Sequence, residues 1–89
     1  MNLPQLYRMK IAPGAWISLS NCPLYAAPGY VKTMMVGRVS SGDFFLVLDE
    51  QKLLFGTYFL VLTERCCGWM FRFNLKELLN IADPVEQTT

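Results

Sequence analysis

Short alternating stretches and unbroken apolar runs of strand length occupy most of this 89-residue chain, and only its C-terminal part carries the spacing of a helix. After Pro13-Gly14, Trp16, Ser18 and Ser20 alternate with Ile17 and Leu19, which predicts a first strand with one buried face. Asn21 to Gly29 holds Pro23, Pro28 and Gly29 among small alanines. That density of breakers predicts the longest loop, studded with Tyr25 and Tyr30. Met34 to Val39 reads as a second strand, stopped by the Ser40-Ser41-Gly42 turn signal. A third strand, Phe44 to Leu48, and a fourth, Thr57 to Thr63, are apolar on both faces. A half-solvated antiparallel strand would not be, so either both faces are buried within the domain or one meets a partner.

Between these two strands Glu50-Gln51-Lys52 predicts a polar turn. Leu53-Leu54-Phe55-Gly56 either extends the hairpin arm or lies exposed near its tip. Glu64 to Gly68 closes the next hairpin. In the fifth strand Trp69, Phe71 and Phe73 fall on one face and Met70 and Arg72 on the other, with Trp69 expected to face inward or cap the domain. Asn74 then suits the N-cap of a short helix, Leu75 to Ile81, with Glu77 three residues on as in a capping box. Leu75, Leu78 and Leu79 share one side of that helix and would plug an end of the fold. The expected layout is an N-terminal arm over 1–13, a folded unit over 14–82 and a tail over 83–89. No repeat or heptad seam is present.

Composition sharpens this picture. A chain of this length supports one modest core. Hydrophobic residues make up 53%, above the about 45–50% of ordinary soluble domains, and counting the 6 Gly in place of the 4 Tyr raises the share further. Such a surplus predicts a covered surface. Eight basic against seven acidic residues leave a net charge of +1, too weak a field to steer a nucleic-acid backbone.

Histidine is absent, which removes the commonest general base and metal ligand, so neither enzyme activity, a metal nor a cofactor is expected. Asp49 and Glu50 adjoin, but neighbours on a strand point to opposite faces and would not share a proton. Cys22 and the pair Cys66-Cys67 do not make a disulfide framework, and Cys22 has no base to activate it, so reduced thiols in a cytosolic protein are expected. Met1 to Pro13 lacks the apolar core of a signal peptide, and apolar runs stop at five residues, so no membrane association is expected.

From Ile17 to Leu79, about two-thirds of its length, the chain resembles the bacterial branch of the Src-homology-3 family. The resemblance lies in Val36-Gly37 followed by Ser41-Gly42-Asp43, in Gly56-Thr57-Tyr58 leading into Val61-Leu62, and in Gly68-Trp69-Met70 before Asn74-Leu75. It implies an all-β, five-stranded barrel with a short C-terminal helix, used for binding. Members usually carry a Trp just after the middle-hairpin glycine. Here Thr57-Tyr58 follows Gly56, so part of the aromatic groove is altered and a standard proline-rich ligand is not expected.

In that family the groove lies between the long first loop and the segment after the last hairpin, which would bring Tyr25 and Tyr30 toward Asn74. Tyr25 leads these candidates, although Leu24 and Tyr25 could equally pack the loop onto the barrel. Trp16 is a further candidate for an exposed aromatic. Phe45, Val47, Phe59 and Val61 are the candidates for a self-interface. The expected function is a non-catalytic protein–protein interaction module, open to self-association. The alternatives are a structural or accessory subunit of a larger assembly such as a phage particle, and a cell-wall (peptidoglycan) binding domain.

Overall fold

A computed structural model describes residues 2–11, 21–29 and 34–86. Their alternating burial builds β1 (Gln5–Met9), β2 (Cys22–Tyr25), β3 (Met35–Val39), β4 (Phe44–Leu53), β5 (Gly56–Leu62) and β6 (Cys67–Arg72). Helix α1 (Leu75–Ile81) and the short β7 (Ala82–Pro84) follow. The strands form one curled antiparallel sheet in the order β3-β2-β6-β5-β4-β1-β7, a half-barrel of seven strands rather than the expected five.

Three of these strands were not foreseen. Gln5–Met9, expected as part of an arm, lies between β4 and β7, with Tyr7 and Met9 turned inward and Arg8 outward. Its alternation is genuine but short, and Pro4 just before it reads as a breaker. Cys22–Tyr25, expected as loop, is a strand in spite of Pro23. Proline cannot donate to a ladder, and β2 meets β6 at the single pair Tyr25↔Trp69, so no second neighbour asks for that missing N–H. Ala82–Pro84 pairs with β1, where Asp83 and Pro84 were expected to begin a tail. The strand expected around Trp16 to Ser20 lies outside the described residues.

The β4–β5 hairpin is longer than its pattern suggests. Glu50, Gln51 and Lys52 stand in β4 opposite Phe59, Tyr58 and Thr57, where a turn was expected. A bulge at Leu48, between the pairs made by Val47 and Asp49, lets the strand run past its apolar stretch. The turn falls instead on Leu54-Phe55. The Ser40-Ser41-Gly42 turn forms where expected, with Asp43 N–H donating to the Ser40 carbonyl at 3.0 Å and Gly42 at φ +83°.

The inward face collects Tyr7, Met9, Leu24, Val39, Phe45, Val47, Phe59, Val61 and Met70. Tyr7 stacks on Phe45 at 5.6 Å. Helix α1 closes this core with Leu78, fully buried, and with Leu75 and Ile81 packed partly against it. Leu79, expected on the same side, is exposed, because Ile81 takes the inward position one turn-phase later. Asn74 caps the helix in extended backbone, its Oδ1 accepting from Glu77 N–H at 2.9 Å. In a helix of seven residues that bond satisfies one of few available amides. Asn74→Ala is expected to lower stability by about 1 kcal/mol in urea unfolding.

Candidate functional site

On β5 and β6 the positions between the core residues point to the opposite face of the sheet. The register sets Tyr58 opposite Phe71 and Leu60 opposite Trp69, while Trp69 has Tyr25 on its other side. Tyr25, Trp69 and Leu60 therefore make one row across three strands, and Phe71 and Tyr58 make the next. The Tyr58 and Phe71 rings are tilted at 5.2 Å, and Phe71 meets Phe73 edge-on at 5.4 Å. Both geometries favour aromatic pairs. At the near end of these rows, Phe73 is 62% exposed and the hairpin tip residue Leu54 is 91% exposed. The Phe71 ring lies against Gly56, next to that tip. The Tyr58 hydroxyl donates to the Gly29 carbonyl at 3.1 Å and so holds the end of the 26–29 segment at the same face.

The expected site residues distribute unevenly over this surface. Tyr25 is half-buried and joins the row through Trp69. Asn74 follows Phe73, but its side-chain oxygen is engaged in capping. Tyr30 and Trp16 lie outside the described residues. Phe45, Val47, Phe59 and Val61, expected at a self-interface, are at most 1% exposed. They fill the core of a single chain and leave no surface for a second copy.

Trp69 was expected to face inward or cap the domain, and of these the inward placement fails, since Gly68 and Met70 take the inner face and Trp69 the outer. Gly68 explains the parity. A Cβ there would stand 2.9 Å from Leu24 Cβ and 2.7 Å from Val36 Cγ2, so the strands approach too closely for any side chain at that inward position. Tyr58, Phe71, Phe73 and Leu54 are the surface residues that motif reasoning did not select. The signal for them was the shared parity of Trp69, Phe71 and Phe73, with the wrong face assigned to the core.

Behind this surface the chemistry is that of a structural interior. Cys22 is buried, and its burial pushes the thiol pKa up, while the Arg72 guanidinium that donates to its Sγ works the other way. Arg72 also faces Glu77 at 3.6 Å. Cys66 is half-buried with its sulfur near Thr63, Cys67 is exposed, and all three cysteines are free. Asp49 accepts from the Glu50 backbone N–H at 2.7 Å, a local turn-like bond. Among the described residues no three His, Cys, Asp or Glu side chains converge as metal ligands, and no helix is long and apolar enough to cross a membrane. No protein-family model, curated protein or solved structure matches the chain.

Proposed function

We propose that this protein is a non-catalytic interaction module that takes another protein on the outer face of the β5–β6 ladder. The observation that carries this reading is the contiguous series Tyr58–Phe71–Phe73, which ends in an exposed ring, with Phe71 packed against Gly56 next to the exposed hairpin tip at Leu54. Rigid aromatic side chains lose little conformational entropy on binding and bury much area. Apolar groups gathered at one end of a small domain mark an interaction surface. A Src-homology-3-like ancestry, implied by the glycine and aromatic spacing, points to the same class of function. The free thiols suit a reducing compartment such as the cytosol.

The test compares the wild type with Leu54→Asp/Phe73→Asp, both immobilised at equal density and exposed to extract of the source cells. The double variant is expected to stay folded and to lose no more than about 1 kcal/mol, the size of the Phe71–Phe73 ring pair that it removes. Any partner retained by the wild type is expected to lose at least about tenfold in affinity, a change of roughly 1.4 kcal/mol. Identical sets of retained proteins would remove this face from consideration.

A further inference from the structure

Away from the aromatic rows, the β3–β4 turn and the turn joining β5 to β6 flank an open cavity of 340 Å³. Arg38 and Arg65 line it, one from each side. Phe44 and Gly42 line it as well, and Arg8 is bound to both: its guanidinium sits 5.4 Å from the Phe44 ring centre, and its Nε donates to the Gly42 carbonyl at 3.3 Å. Two of the chain's four arginines thus line the cavity, and a third touches two of its lining residues. The fourth, Arg72, is the one with an acidic partner.

All seven acidic side chains of the protein lie within the described residues, where the ion pairs are Arg72–Glu77 and Lys10–Asp83. Arg8, Arg38 and Arg65 are therefore without a carboxylate side chain within 4 Å. Two acidic residues do line the cavity, Asp43 and Glu64. Asp43 is committed to its own turn, where Oδ2 accepts from Ser40 N–H at 2.9 Å. The turn that carries Arg65 is likewise closed on itself, with Thr63 Oγ1 accepting from the Arg65 and Cys66 amides at 3.2 and 3.1 Å. Arg38 Nη2 donates to Met35 Sδ at 3.8 Å, a weak acceptor that leaves the other guanidinium donors available, and Asp43 and Glu64 are the two countercharges in the lining.

We infer that this cavity is a binding site for an oxyanion, a phosphate or carboxylate group carried by a ligand and gripped between Arg38 and Arg65. Guanidinium groups present planar pairs of donors that match such oxygens. Their spread over two separate turns suits a group that enters between them. Nothing in this inference depends on the aromatic face, and it is tested with different residues.

The probe is inorganic phosphate, titrated at constant ionic strength into the labelled protein while amide resonances of residues 38–44 and 63–66 are followed. Chloride is the control, and acetate separates carboxylate from phosphate recognition. Saturable shifts confined to these two turns are expected with phosphate, with acetate or with both. Arg38→Gln and Arg65→Gln are each expected to weaken the effective ligand about tenfold, the size of one charge-assisted hydrogen bond. Glu64→Gln is expected to tighten it, because it removes one of the two countercharges in the lining. All three positions are exposed, and the variants' spectra report that the fold is kept. Shifts no larger than those of chloride, or variants that leave the affinity unchanged, would overturn the assignment.

Discussion

Phe59→Ala is expected to destabilise the protein by about 3–5 kcal/mol, the cost of emptying a fully buried phenyl site. Phe59 has no exposed surface. It sits on the central strand β5, between β4 and β6, among Phe45, Val61 and Met70 of the same core. A domain of this length holds only about 5–15 kcal/mol in total, so the variant should unfold at a much lower urea concentration with its slope unchanged. The same experiment separates a core role from an interface role. Loss of a core side chain is independent of protein concentration, whereas loss of an interface side chain is not. A deficit that disappears at high protein concentration would return Phe59 to a self-interface.

The second large effect is expected at Gly68. An added methyl would lie 2.7 Å from Val36 Cγ2, 2.9 Å from Leu24 Cβ and 3.1 Å from the Tyr25 carbonyl oxygen. Two of these are backbone or backbone-proximal atoms that cannot swing aside. Gly68→Ala must therefore push β2 and β3 away from β6, at about 1–3 kcal/mol for overpacking. Because β2 is tied to β6 at the single pair Tyr25↔Trp69, the damage should be local. Faster amide exchange is expected for Leu24, Tyr25, Gly37 and Val39 than for β4 and β5. Uniform exchange, or wild-type stability, would mean that these strands do not pack at the described separation.

How much of this was legible beforehand follows from the kind of signal each element carries. Helix α1 and its cap were readable because Asn74 and Glu77 act through bonds three residues apart. The turn at Ser40–Gly42 was readable for the same local reason. β1, β2 and β7 were not, since each is five residues or fewer and owes its strand state to partners far along the chain. Pro23 and Pro84 carry the usual marks of loop, and only the sheet's own layout shows that their missing donors are not needed. The aromatic surface was half legible. Its parity along β6 was visible, but which side faced the core depended on Gly68, whose contact with Leu24 and Val36 no local pattern reveals.

The placement of β1 bears on how the chain is made as well as how it stands. Gln5–Met9 is synthesised before both of its neighbours, a strand that starts at Phe44 and one that starts at Ala82. On the ribosome it has nothing to pair with until β4 has emerged, and its second edge stays open until β7 follows. Such distant pairing slows folding and leaves an unmatched ribbon exposed during synthesis. β1 and β7, more than 70 residues apart, are then fastened to each other, so that a change in either strand acts on both.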